Sequence, residues 1–276
     1  MSSTIDFALN HMVAPQLDLV SFFRLARSLG LTGVEIRNDI AGQAILDGAS
    51  AATVRAKAEA AGVSILTINA LQRFNDWTSE REREARALIQ YARDCGAAAL
   101  ILVPVNDGSG RGDGERQANV RTALITLKPM LEDAGIIGLV EPLGFEICSL
   151  RSKREAVQAI RTVLGENVFR VTHDTFHHYL AGEPDLFPEF TGLVHISGVD
   201  DPNVAIRNMR DAHRVLVDAR DRIGNVEQIA ALTAAGYRGP FSFEPFADEL
   251  RTLTDPAAAI SKSIEFVRGQ LAAQAA

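Results

Sequence analysis

Ile136–Ile137–Gly138–Leu139–Val140–Glu141 is an apolar run that turns polar at its last residue. Val168–Phe169–Arg170–Val171–Thr172–His173–Asp174, Leu193–Val194–His195–Ile196 and Pro240–Phe241–Ser242–Phe243–Glu244 repeat that pattern. Each reads as a buried strand of a parallel sheet whose far end carries a ligand-type side chain. Two Glu, one Asp and one His at four strand mouths form an oxygen-rich set with a single nitrogen. Such a set suits one hard or borderline divalent ion, Mn²⁺, Mg²⁺, Co²⁺ or Zn²⁺. Polar residues are common at strand ends, so one alone says little. Four at equivalent ends point to the rim where parallel barrels place their active sites.

Working outward, short β-type runs alternate with longer helical ones. Strands are expected at 5–10, 33–37, 63–69 and 98–103, and then ending at Glu141, ending at Asp174, passing through His195, and ending at Glu244. Helices are expected at about 16–29, after Ser50 to Gly62, after Thr78 to Gly96, 115–133, 152–163, 226–235 and 257–271, from capping residues, glycine stops and apolar spacing. Eight β units without hairpin signals favour a (β/α)8 barrel over an open sheet. The length of 276 residues fits one such domain over 1–276. Asn10–His11–Met12–Val13–Ala14–Pro15 follows the first strand, so the dinucleotide fingerprint is absent there.

Strand alternation sets the faces. If Glu141 points into the barrel, so do Leu139 and Ile137. If Glu244 points in, so does Ser242, while Phe241 and Phe243 face the helices. His195 shares its face with Leu193, and His173 points away from Asp174. Arg170 lies on the inner face with Asp174 and needs a partner or a bulge.

Other strands also end in polar residues: Asn10, Glu35 with Arg37 and Asn38, Asn69, and Asn106 past Pro104. Amides at the rim can orient hydroxyl and carbonyl groups. His177 lies three residues after Asp174, on the same side of a helical turn. His11 is a candidate for the barrel mouth. The segment 198–225 is long for a loop and rich in both Arg and Asp. It reads as a lid from which Arg214 reaches the substrate. Asp107–Gly108–Ser109–Gly110–Arg111–Gly112–Asp113–Gly114 lacks the Lys and Ser/Thr that close a phosphate loop. Pro245–Phe246–Ala247–Asp248–Glu249 is acidic and glycine-free, which argues against a phosphorylated substrate.

Composition excludes several classes. A net charge of −7 opposes a non-specific hold on nucleic acid. Cys95 and Cys148 form no disulfide framework and read as buried thiols. No export signal opens the chain and no apolar run spans a membrane, so cytoplasm is the default. Lys57, Lys128, Lys153 and Lys262 all fall in expected helices, which argues against a Schiff-base aldolase. Homo-oligomerisation stays open.

Val140–Glu141–Pro142–Leu143–Gly144, Asp174–Thr175–Phe176–His177, Val194–His195–Ile196–Ser197 and Gly236–Tyr237–Arg238–Gly239–Pro240–Phe241–Ser242–Phe243–Glu244–Pro245 resemble the xylose-isomerase-like barrels over nearly the whole chain. The resemblance implies one divalent metal held by Glu141, Asp174, His195 and Glu244. It implies His177 on the substrate, and Glu141 and Glu244 as the groups that move a proton. Asn10, Arg37, Asn69, Asn106 and Arg214 complete the expected substrate shell. Glu35–Ile36–Arg37–Asn38–Asp39 and Thr67–Ile68–Asn69–Ala70 look most like inosose isomerase-like members. The implied reaction is isomerisation of a small polyol ketone, such as 2-keto-myo-inositol, through an enediolate that the metal stabilises. Ketose 3-epimerase and hydroxypyruvate isomerase are the alternatives. An endonuclease IV-type nuclease and a non-catalytic sugar-binding regulator fit less well. One departure concerns the epimerases. Their Arg six residues after the metal-binding His is Asp201 here, a residue expected to repel an anionic substrate.

Overall fold

The computed structural model describes residues 5–40 and 48–274. Residues 1–4, 41–47 and 275–276 of the expected 1–276 unit lie outside the described residues. The strands are β1 (Phe7–Asn10), β2 (Gly33–Arg37), β3 (Ser64–Gln72), β4 (Ala99–Val103), β5 (Ile137–Val140), β6 (Phe169–Asp174), β7 (Thr191–Ile196) and β8 (Phe241–Phe243). Each pairs in parallel with the next, and β1 closes on β8. The helices are α1 (Leu19–Ser28), α2 (Ala51–Ala61), α3 (Ser79–Cys95), α4 (Glu115–Ala134), α5 (Lys153–Thr162), α6 (Thr175–Ala181), α7 (Asn225–Ala234) and α8 (Pro256–Gln274). This is the (β/α)8 barrel read from the alternating pattern.

Local chemistry sets the boundaries. Ser50 and Thr78 accept hydrogen bonds from backbone N–H groups of the first turns of α2 and α3, and Gly62 and Gly96 end them in the left-handed region. Alternation then sorts the cores. Phe241 and Phe243 pack outward with the helices in the large core. Leu139 and Leu193 pack inside the barrel with Ala70, Ala99 and Ile101. Glu141 and His195 follow two residues later on that inner face and emerge at the rim.

Among the described residues Arg170 meets no carboxylate, and it lies outside the core. It is half-buried, and its guanidinium donates to the carbonyl oxygens of Glu166 and Phe169 at the barrel's closed end. A register shift between Val171 and Thr172 follows it. His11 corrects the expectation of a mouth-lining residue. It is fully buried, stacked on Phe22 at 4.2 Å, with Nε2 2.9 Å from the Leu17 carbonyl oxygen. A short 3-10 turn folds it under α1 instead of over the rim.

Gly144 is the sharpest close approach near the site. A Cβ there would collide with the His177 carbonyl oxygen and sit 2.6 Å from Leu180 Cβ. The loop after β5 therefore lies against α6 only because this residue has no side chain. Gly144→Ala is expected to cost about 1–3 kcal/mol, read as a lowered urea midpoint at constant slope. An unchanged midpoint would refute the close approach.

Candidate metal centre

Glu141, Asp174, His195 and Glu244 are all buried, and one ligand atom from each lies within 4.8 Å of all the others. They come from four strand ends that the barrel brings to one point. His195 turns Nδ1 toward the carboxylates, 2.9 Å from Glu141 Oε1, 3.1 Å from Glu244 Oε2 and 3.9 Å from Asp174 Oδ2. Its Nε2 faces Glu35 Oε2 at 3.1 Å. Glu35 is placed to hold the Nε2 proton, so that Nδ1 is the nitrogen a cation in the centre would take, the arrangement by which an outer carboxylate orients a ligating imidazole.

Glu35 is itself fixed. Thr67, Asn69 and Ser242 donate to it from β3 and β8. Glu35→Gln keeps the shape and removes the charge behind the imidazole. It is expected to weaken Mn²⁺ or Zn²⁺ binding about 10–100-fold by calorimetry. Unchanged affinity would remove Glu35 from the centre.

Asp174 caps α6 as well. Its Oδ1 accepts from the Phe176 and His177 N–H groups, which leaves Oδ2 for the centre and for Arg214 at 2.6 Å. Glu244 is clamped. Oε1 accepts from Arg37 at 2.8 Å and Asn10 at 3.1 Å, and Oε2 accepts from Arg214 at 3.1 Å.

These surroundings drive Glu141 and Glu244 apart. Burial raises Glu141, Glu244 and Asp174 raise it further, and His195 only partly opposes, so its pKa lies above the usual carboxylate range. Burial raises Glu244 too, but His195, Arg214 and Arg37 outweigh it and hold it well below that range. Two carboxylates with separated affinities are the arrangement that lets one hold a proton while the other stays ionised. Burial alone would lower His195, yet Glu244, Glu35 and Glu141 raise it well above its ordinary value.

The donor set fits a divalent cation. Four buried carboxylates, Glu35, Glu141, Asp174 and Glu244, face two buried guanidiniums, Arg37 and Arg214. The field that favours a proton on His195 Nδ1 equally favours a metal ion, and three oxygens with one nitrogen suit the ions named above. Glu141, Asp174, His195 and Glu244 would hold it.

A cleft of about 340 Å³ opens over this set. His177, Arg37, Asn69, Asn106 and Arg214 line it, together with Glu141 and Glu244. Asn10 stands behind Glu244 instead, with Nδ2 on the carboxylate and Oδ1 accepting from the Met12 N–H and Arg37. Arg37 divides its guanidinium between Glu244 and a two-point contact with Asp39. Arg214 arrives from the 198–225 segment, nearly fully buried, and lies over the Phe246 ring at 4.6 Å. Asp201 is exposed, accepts from the Asn203 N–H and is not part of the cleft wall. The acidic residues in that wall besides Glu141 and Glu244 are Asp39, Asp107 and Asp211.

Sequence reasoning did not assign Glu35 to the centre. The available signal was a Glu and an Arg two apart in an otherwise apolar strand, hence on one face. His173 does point outward. It accepts from Lys153 Nζ at 2.7 Å and contacts Gln228 Oε1 at 2.9 Å. Lys153 is buried, and desolvation lowers its pKa to about 7. Cys95 and Cys148 are buried as expected. No helix among the described residues is long and apolar enough to cross a membrane.

The family model described as xylose isomerase-like TIM barrel matches residues 23–270. A xylose isomerase domain containing protein from Salmonella typhimurium LT2 is 35% identical, with 97% of each chain covered and a TM-score of 0.88. IOLI protein, crystallised with a zinc atom, is 18% identical over 97% of this chain and 99% of its own, with a TM-score of 0.85. L-ribulose 3-epimerase is 16% identical over 98% and 95%, with a TM-score of 0.70. No curated protein matches the chain.

Proposed function

The chain belongs to the xylose isomerase-like TIM barrel family, and from that premise we propose that it is a divalent-metal-dependent isomerase of a small, neutral polyol ketone, with 2-keto-myo-inositol converted to its 1-keto isomer as the leading substrate. The observation that carries this reading is the convergence of Glu141, Asp174, His195 and Glu244 beneath one cleft. The zinc atom of the IOLI structure supports a metal at such a barrel centre. A divalent ion held there would polarise a ketone oxygen and lower the pKa of the neighbouring C–H.

The chain's own groups do the rest. Glu244, kept ionised by Arg37 and Arg214, accepts the proton next to the carbonyl. Glu141, on the other side of the centre, delivers a proton to the adjacent carbon. Microscopic reversibility exchanges these roles in the other direction. Asn69, Asn106 and His177 meet the hydroxyls, and the Phe145 and Phe246 rings narrow the cleft against water. The substrate is a small molecule, without nucleic acid.

A second reading, ketose 3-epimerisation, draws on Arg214. An arginine stands in the cleft even though the epimerase position is Asp201.

The test is deuterium incorporation from D₂O into inososes, free ketoses and ketose phosphates with Mn²⁺. Exchange next to the ketone is expected for the neutral cyclic ketones, with loss to background after chelation. No exchange with any ketone would refute the isomerase. A higher kcat/KM for a phosphorylated sugar would refute the neutral substrate.

A further inference from the structure

A second cavity of about 400 Å³ adjoins the cleft, and Asn106, Phe145 and Asp211 belong to the walls of both. Its other walls differ in character. Ile147, Leu180, Ile206 and Met209 face it. Ile147 and Ile206 are 48% and 49% exposed, and they are two of the four large hydrophobic residues left exposed among the described residues. Exposed aliphatic side chains scatter singly on most surfaces. Two that face one concave site mark a place where apolar surface is covered by something.

Phe145 forms the partition. One side of the ring meets His177 of the cleft, with centroids 5.0 Å apart, and the Arg210 guanidinium lies 5.9 Å from it. Asn106, half-buried, lines both spaces, and its enclosed Oδ1 has no hydrogen-bond partner among the described residues. A buried amide without a partner costs stability unless a ligand or water meets it. The charges at the cavity's edge are largely engaged. Arg151 donates to the Gly144 and Leu180 carbonyl oxygens, and Arg210 donates to those of Arg207 and Met209. Glu146 and Asp211 add negative charge and Arg207 positive charge.

We propose that this cavity is a subsite for an apolar substituent, an aromatic ring or short aliphatic chain, attached to the polyol ketone whose polar head occupies the cleft. The inference rests on the isomerase reading for the identity of that head. Its physical basis is separate. Cavities of this size commonly take drug-sized groups, about 300–1,000 Å³, and a single sugar-sized ring in the cleft leaves the second space unfilled. Asn106 then binds a hydroxyl at the junction, and Ile147, Ile206 and Met209 cover the substituent.

The test compares phenyl β-D-glucopyranoside with its methyl counterpart and with glucose 6-phosphate. Binding to the Mn²⁺-supplied protein is read by calorimetry and saturation-transfer NMR. Deuterium exchange is read in parallel on a cyclic polyol ketone with and without a phenyl ether. The phenyl compound is expected to bind at least about 10-fold tighter than the methyl one, in line with burial of an aromatic ring. Ile206→Asp and Ile147→Asp, both at exposed positions outside the proton-transfer groups, should erase that margin and leave exchange on the unsubstituted ketone unchanged. A phenyl margin without exchange on either ketone keeps the subsite and refutes the isomerase. Exchange on both ketones without a phenyl margin refutes the subsite and keeps the isomerase. Preference for the phosphate, a margin that survives both Asp variants, or no binding of any probe would each overturn the subsite.

Discussion

Glu141→Gln should lower the rate of proton exchange about 10²–10⁴-fold, the usual worth of a positioned acid–base group, while Mn²⁺ still binds. The amide keeps an oxygen where the carboxylate was, so the centre retains a donor. What it loses is the ability to take up and release a proton. Glu141 is the cleaner of the two candidates, because among the described residues its carboxylate hydrogen-bonds with His195 alone. Glu244→Gln should lower exchange by a similar factor and weaken the fold as well, since Arg37 and Arg214 lose a buried counter-charge. The measurements are deuterium incorporation and Mn²⁺ titration on the same samples. Exchange within a factor of a few of the unmodified protein would remove Glu141 from the chemistry.

Arg214→Met should destabilise the protein by about 3–5 kcal/mol in the presence of chelator, the cost of breaking a buried ion pair from one side. Arg214 pairs with Asp174 at 2.6 Å and Glu244 at 3.1 Å, both nearly inaccessible. Met fills part of the space over Phe176 and Phe246 but leaves Asp174 without a guanidinium partner and Glu244 with Arg37 alone. Added Mn²⁺ should restore a large part of the loss, because a cation held by those carboxylates replaces the missing charge. Urea unfolding with and without metal separates the two terms. A loss under about 1 kcal/mol in chelator would show that the arginine is not an electrostatic anchor.

The order and faces of the elements were legible because both depend on near neighbours in sequence. Ser50, Thr78, Gly62 and Gly96 bound their helices through contacts within a few residues. Period-two alternation put Leu139 and Leu193 inside the barrel and Phe241 and Phe243 outside it. The same periodicity carried Glu141, His195 and Glu244 to the rim. Once eight parallel strands are recognised, their ends must meet, so the set of four could be named without coordinates.

Lateral partners were a different matter. Glu35 stands behind His195 because β2, three strands round the closed ring, faces β7 across the interior, with a register shift between Val34 and Glu35. Asn10 and Arg37 read as substrate contacts from their strand-end positions; in the closed barrel both donate to Glu244, and Arg37 lines the cleft as well. Asp201 and Arg214 lie in one loop, and only its path over the barrel leaves the first exposed and buries the second. The sequence by itself determined which residues stand at the rim, since a strand's faces follow from its own alternation. Tertiary structure alone decided which of them face the ligand and which hold another side chain, because that choice depends on register and loop path between segments up to 234 residues apart.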